Sequence, residues 1–290
     1  MKWLTLHSQF FALVLFVTAA NAGDSARGRE IFALAGGCGC HTPDNGPVGA
    51  GGRPIKTPFG TFFGTNITPD VETGIGAWSD DEVIAAIRQG AMRGGGVAAP
   101  VMPYSQYAGM ADADVRDLVA FLRTLAPAHH PNQPSEVSLP LPRLAYRAWR
   151  LLFAPSVTPP AQAPSEPVAH GRYLVDHVSI CGDCHTPRNR FGALEADQHL
   201  IGTADGPEGE TAPNLTPDPA TGLGKWPEAA IVELLQSGML PNADNVQGLM
   251  AEVIDGIAGA PGYGAAPESE LRSIAKYLKT MPPVPHAVRD

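Results

Sequence analysis

The segment Cys181-Gly182-Asp183-Cys184-His185 constrains the fold of this chain more than any other. It reads C-x-x-C-H, the attachment signature of a c-type haem. Two thiols three residues apart lie on one side of a helical turn, so each can add to one vinyl group of the same porphyrin. The adjacent His185 then presents its imidazole to the iron as proximal ligand. Half of a structural zinc site and a redox C-x-x-C pair are the competing readings of the same residues. Composition bears on the choice. The chain has 32 Gly and 29 Pro among 290 residues, about a fifth of the total, where average usage is about 12%. Such a chain is rich in turns, and a large apolar cofactor would supply core that its side chains do not.

The plan of this segment occurs twice. Asn66-Ile67-Thr68-Pro69-Asp70 runs on to Thr73-Gly74-Ile75-Gly76-Ala77-Trp78, and Asn214-Leu215-Thr216-Pro217-Asp218 runs on to Thr221-Gly222-Leu223-Gly224-Lys225-Trp226. Eight of these thirteen positions are identical at a constant offset of 148. Each half also ends in a helical pattern: Asp112 to Leu125 with Val115, Leu118, Phe121 and Leu122 on one stripe, Glu268 to Met281 with Leu271, Ile274, Tyr277 and Leu278. Self-similarity at domain length means duplication. Each half opens on a short helix as well. In Ala26 to Ala35 the period puts Ile31 and Leu34 inward and Arg27, Glu30 and Ala33 outward. In the second half Gly171 to Ile180 leads into the C-x-x-C-H motif.

The repeat also points to sixth ligands. Met102 and Met250 are related by the same offset of 148 and follow His41 and His185 by about 60 to 65 residues. A thioether opposite a histidine is a common pairing for such an iron and raises its potential. Met92, Met110, Met239 and Met281 have no methionine partner across the halves and read as packing. His177 is the nearest rival ligand. Trp78 and Trp226 read as packing residues, and the Asn-x-Thr-Pro-Asp turns as braces for the pocket.

The first half departs from the standard motif. It reads Cys38-Gly39-Cys40-His41, with Gly37 where the first thiol belongs. On a regular helix Cys38 and Cys40 would point about 200° apart. Three arrangements stay open: a single thioether at Cys40 with Cys38 free, both thiols attached because Gly36, Gly37 and Gly39 let the backbone leave the helix, or a first half without haem. A bound haem with at least the Cys40 link is the expectation, because His41-Thr42-Pro43 and Met102 are retained.

Residues 1–22 read as an export leader, with Lys2, an apolar core from Phe10 to Val17, and Ala20-Asn21-Ala22 as cleavage site. Nothing after it is apolar enough to span a bilayer, so the expected location is the periplasm, without an integral membrane span. The net charge of −9 makes nucleic acid an improbable partner. Domains are expected at 23–127 and 168–285, with a Pro-rich linker over 128–167. Inside it, Leu141 to Phe153 is a basic amphipathic helix, read either as a strut or as a docking face for a partner or membrane surface.

Thr57-Pro58-Phe59-Gly60-Thr61, the run from Asn66 to Trp78, Met102-Pro103-Tyr104 and the run from Cys181 to Asn189 together resemble the cytochrome c subunits of membrane-bound alcohol and sugar dehydrogenases. The resemblance covers essentially the whole chain after its leader. It implies a mostly α fold of two tandem, loop-rich cytochrome c domains and two covalent haems c, with His41 and His185 proximal and Met102 and Met250 distal. It also implies an electron acceptor for a quinoprotein or flavoprotein dehydrogenase, passing electrons toward the respiratory chain. Family subunits commonly carry three haem domains and a C-terminal membrane-associating segment, where two domains are expected here. Two six-coordinate irons leave no open position for a substrate, which favours relay over catalysis. The alternative from another class is a dihaem oxidoreductase, of thiosulfate dehydrogenase or peroxidase type, with one exchangeable axial ligand.

Overall fold

The structure is a computed structural model that describes residues 23–138, 141–154 and 156–288; the expected leader lies outside the described residues. In chain order the helices are α1 (Ser25–Leu34), α2 (Asp80–Gln89), α3 (Tyr104–Tyr107), α4 (Asp112–Leu122), α5 (Pro142–Phe153), α6 (Pro167–Tyr173), α7 (Gly182–His185), α8 (Glu228–Ser237), α9 (Gly248–Asp255) and α10 (Glu268–Thr280). Three short strands, β1 (Pro54–Thr57), β2 (Gly60–Phe63) and β3 (Glu136–Val137), form one antiparallel sheet in that order. The architecture is mostly helical, as expected. The sheet is not foreseen by the sequence reading, because its strands are short and the third comes from the Pro-rich segment.

Each half is built on a crossing of its first and last helices. A Cβ on Gly28 of α1 would lie 1.9 Å from the carbonyl oxygen of Asp117 in α4. A Cβ on Gly171 of α6 would lie 1.8 Å from that of Ser273 in α10. Only hydrogen at these positions lets the two backbones meet. Phe121 and Tyr277 flank the crossings at 2.8 and 2.9 Å from the same hypothetical atoms, and the rings of Phe32 and Phe121 meet tilted, 5.0 Å apart. Further out, Arg123 donates to the carbonyls of Ile75 (2.6 Å) and Trp78 (2.7 Å). Lys279 does the same work on Leu223 (3.1 Å) and Trp226 (2.9 Å). A cation on the last helix thus ties down the tryptophan loop in both halves.

One hydrophobic core runs through both halves, and this corrects the reading of α1. Ala33, expected outward, is buried with Ile31, Phe32 and Leu34. α1 packs on α4 on one side and on the turns at 263–265 and 174–178 of the second half on the other, so a helix expected to have one buried face has two. Arg27 is likewise not solvated. It reaches Glu270 of α10 at 2.7 Å and lies 3.9 Å from Asp114. Tyr173 of α6 donates to Asp114 (2.6 Å) and accepts the Ala111 N–H (3.0 Å). Met110 is fully buried, whereas Met92 and Met239, expected as packing, are exposed on loops.

The segment between the halves is bound to both. β3 extends the first half's hairpin, and the carbonyls of Pro160 and Ala161 accept the first N–H groups of α4 at 2.9 and 3.1 Å. α5 lies against Tyr104 of the first half through Trp149 and against Phe191 of the second through Phe153, which is the strut arrangement.

Two outcomes follow from the interface. Gly171→Ala forces α6 off α10 and should cost about 3 kcal/mol, read as a lowered urea midpoint; an unchanged midpoint would refute the close crossing. The second concerns His170, whose Nδ1 faces the Pro164 carbonyl (2.9 Å) and whose Nε2 faces the Glu270 carboxylate. Two acceptors demand two N–H donors, the imidazolium. The hydrogen bond to Glu270 accordingly holds the His170 pKa above its ordinary 6.5, against burial. Burial pushes Glu270 up, but the hydrogen bond from His170 and the charge of Arg27 outweigh it, leaving it below 4.5. The histidine contribution is therefore complete below pH 6.5 and lost as pH rises through the folded His170 value. The glutamate contribution is complete above pH 4.5 and lost as pH falls. The stability advantage of wild type over His170→Gln should peak between those limits and shrink as pH rises through the folded His170 value; a difference independent of pH would contradict the pair.

Candidate functional site

Two imidazoles are held in the same way, one in each half: His185 is buried and His41 partly buried. His41 Nδ1 donates to the carbonyl of Thr65 at 2.8 Å, and His185 Nδ1 to that of Pro213 at 2.8 Å. Thr65 and Pro213 directly precede the two Asn-x-Thr-Pro-Asp turns. The bond fixes the tautomer: the proton sits on Nδ1 and the lone pair on Nε2. Burial lowers both imidazole pKa values, more than the carbonyl bond raises them, so both rings stay neutral and able to ligate.

The surrounding backbone repeats bond for bond. The His41 carbonyl accepts the Gly51 N–H and the His185 carbonyl the Gly202 N–H, each at 2.8 Å. Thr42 Oγ1 accepts the Gly49 N–H (3.1 Å), and Thr186 Oγ1 the Leu200 N–H (3.0 Å). Asn66 Oδ1 accepts the Thr68 N–H (2.9 Å) while its Nδ2 donates to the Ala128 carbonyl (2.7 Å). Asn214 Oδ1 accepts the Thr216 N–H (2.8 Å) and its Nδ2 donates to the Val284 carbonyl (2.9 Å). Asp70 and Asp218 each accept the N–H and hydroxyl of Thr73 and Thr221 at 2.7 Å, and the hydroxyl bonds hold both carboxyls below their usual range. Asn66, Asp70 and Thr73, like Asn214, Asp218 and Thr221, bind within their own turn, and the asparagine also ties the turn to the chain after the last helix. They brace the carbonyl that orients the histidine, as expected.

The two cysteine motifs differ. In the second, the Cys181 carbonyl accepts the N–H groups of Cys184 (3.3 Å) and His185 (3.0 Å). That is one helical turn, with both thiols on the same side of α7. In the first, Gly36, Gly37 and Cys38 take left-handed φ values of 66°, 63° and 48°, and the chain returns to a regular turn only at Gly39–Thr42. The backbone leaves the helix around Cys38, so the opposition of about 200° set by a regular helix does not apply. No disulfide joins any two of the four cysteines. Burial pushes the Cys38 and Cys181 thiols up to about 12, the reverse of the depressed thiol of a redox pair.

The methionines occupy different local structures. Met102 sits in a turn, its N–H on the Ala99 carbonyl (3.0 Å) and its carbonyl on the Tyr104 N–H (2.8 Å). Met250 lies in the first turn of α9. Both are partly buried against the common core. His177 faces the other half, with Nδ1 on the Gln106 carbonyl at 2.8 Å. Trp78 and Trp226 pack partly buried against the core.

A register shift escapes the ungapped repeat. The offset of 148 holds through the paired bridges Ala91–Val97 and Met239–Asn245; beyond Tyr107 and Tyr263 it is 156. The second half thus has eight extra residues, placed within α9 and the loop after it. This excess covers the first motif: a Cβ on Gly39 would lie 2.9 Å from Ile257, and one on Gly37 2.8 Å from the Pro261 carbonyl oxygen. In return Gln106 of α3 donates to Asp183 inside the second motif (2.9 Å). Tyr107 and Tyr263, both buried, stand between the motifs, with the Tyr263 hydroxyl on the Ser179 carbonyl (3.3 Å). The signal for these tyrosines, and for Arg123 and Lys279, is the offset of 156.

The donor set fits a covalently held iron porphyrin in each half: a neutral imidazole with a free Nε2, a neighbouring thiol and a partly buried methionine. Among the described residues the buried Nη1 of Arg53 makes no hydrogen bond and lies 3.8 Å from the Asp44 carboxylate, while its Nη2 binds Glu252 at 2.6 Å.

Residues 25–126 match the family model described as cytochrome c. The chain is 37% identical over 276 residues to a "Diheme cytochrome c-type" protein of Cereibacter sphaeroides, covering 92% of this chain and 88% of that one. It is also 37% identical over 284 residues to the cytochrome c subunit of a quinone alcohol dehydrogenase of Gluconobacter oxydans, covering 92% of this chain and 58% of the subunit. The cytochrome c subunit of gluconate 2-dehydrogenase from Pantoea cypripedii is 37% identical over 263 residues, again with 58% of its length matched. The chain thus spans less than two thirds of the length of these two dehydrogenase subunits.

Proposed function

The chain belongs to the cytochrome c family, and we propose that it is a periplasmic two-haem relay, carrying single electrons from a quinoprotein or flavoprotein dehydrogenase toward the respiratory chain. Its cofactor is haem c, and the chain is an electron carrier rather than the dehydrogenase itself. The observation that carries the two-haem reading is the repeated pair of neutral imidazoles, each with Nδ1 on a braced carbonyl. Relatives named as cytochrome c subunits of dehydrogenases support the direction of flow.

In this reading the halves are two tandem cytochrome c domains, 23–127 and 168–285, joined by 128–167. His41 and His185 would hold iron through Nε2, and Met102 and Met250 would each supply a second ligand. Cys181 and Cys184 form the two thioethers of the second site; Cys40, with Cys38 beside it, holds the first. When bound, haem supplies a reversible one-electron couple whose potential follows its axial ligands and surroundings. The Thr65 and Pro213 carbonyls keep the imidazoles from turning. Among the described residues no helix is long and apolar enough to cross a membrane.

Methionine bonded to ferric haem gives a weak band at the red end of the visible spectrum. Wild type should show this band at full strength per haem, and Met102→Ala and Met250→Ala should each remove about half of it while redox titration still shows reversible one-electron steps. A band untouched by either substitution would remove that methionine as a ligand. A wild type without the band would overturn the closed, relay-type sites.

A further inference from the structure

α5 carries two apolar faces, and only one is used. Tyr146, Trp149 and Phe153 turn toward the protein, onto Phe62, Tyr104 and Phe191, and the Trp149 indole donates to the Phe191 carbonyl at 2.9 Å. Among the described residues the opposite face is aliphatic and bare. Leu144, Leu151 and Leu152 are 62%, 85% and 71% exposed, and Leu141 at the start of the helix is 73% exposed. Arg143, Arg147 and Arg150 form a stripe along one flank of those leucines, and the helix has no acidic residue. Arg143 and Arg147 are exposed and make no ion pair among the described residues, while Arg150 donates to the Gln89 carbonyl (3.2 Å). Beside the helix, Phe191 is about half exposed with the Arg190 guanidinium 4.7 Å over its ring.

We propose that α5 is a membrane-surface anchor, lying in the plane of an anionic bilayer with Leu144, Leu151 and Leu152 among the acyl chains and Arg143 and Arg147 on the headgroups. The charge argues for an anionic surface: a block of arginines without acids stands on a chain of net charge −9. The residue types argue for lipid rather than protein. Protein interfaces take their affinity from aromatic anchors, and leucine is under-represented at their hot spots. Here the aromatics are spent inward to clamp the helix to both halves, and what projects is leucine, which gains most from hydrocarbon. The clamp lets the helix carry the whole two-half body. The proposal does not rest on the relay reading, because vesicle binding and electron transfer are measured separately.

The test uses the haem-loaded full-length mature protein and sedimentation with vesicles of phosphatidylcholine alone or mixed with phosphatidylglycerol. Wild type should bind the mixed vesicles and weaken with added salt, and should bind neutral vesicles at least tenfold less. Arg143→Gln and Arg147→Gln should each weaken binding roughly fivefold. The double variant Leu151→Ser/Leu152→Ser, altered only at exposed positions, should lose binding with an unchanged far-ultraviolet spectrum. No binding by wild type overturns the proposal, as does binding that ignores both the leucines and the arginines. A concentration-dependent dimer abolished by Leu151→Ser/Leu152→Ser would assign the face to a second copy of the chain and also overturn it.

Discussion

The hydrogen bond from an imidazole to a backbone carbonyl is the constraint on which both halves depend. An imidazole that must present Nε2 needs its Nδ1 proton placed, and the acceptor must not move. Here the acceptor is the carbonyl of Thr65 or Pro213. It is held because the next residue is an asparagine whose side chain binds its own turn and the chain after the last helix. The tryptophan loop beyond is fixed by Arg123 or Lys279, and those cations stand on helices pressed against the opening helices at Gly28 and Gly171. Helix crossing, loop and turn thus converge on the position of one ring nitrogen.

The halves are not beads on a string. α1 is buried on two sides, one of them supplied by the other half, and charged groups at the seam are paired across it. Each cysteine motif is covered from the opposite half: the first by the eight-residue excess around Ile257 and Pro261, the second by Gln106. The coverage is unequal, and it is the irregular Cys38–Cys40 site that has the longer cover. The left-handed backbone at Gly37 and Cys38 lies directly beneath it.

What the sequence makes legible is local. His185 with its two thiols, the paired Asn-x-Thr-Pro-Asp turns, the final helices and the amphipathic helix over 141–153 are each set by residues within a few turns of one another, and the structure places them where they are expected. What it hides depends on distant partners. Ala33 reads as outward because the surface that buries it lies in the other half, and Arg27 meets Glu270 across 243 residues. The β-sheet escapes notice because its strands are short and one belongs to a segment rich in proline. Tyr107 and Tyr263 escape because an ungapped offset of 148 passes over the insertion. Only the shift to 156 brings them into register.

The central claim is that both imidazoles serve a haem and that both motifs attach it. The intact mass of the denatured, matured protein, made with the cytochrome c maturation machinery, tests this directly. The account predicts the polypeptide mass plus two haems, with one addition on the peptide containing Cys181 and Cys184 and the other on the peptide containing Cys40. A single addition on the Cys181–Cys184 peptide would contradict it, and would leave His41 a braced imidazole without a covalently attached haem.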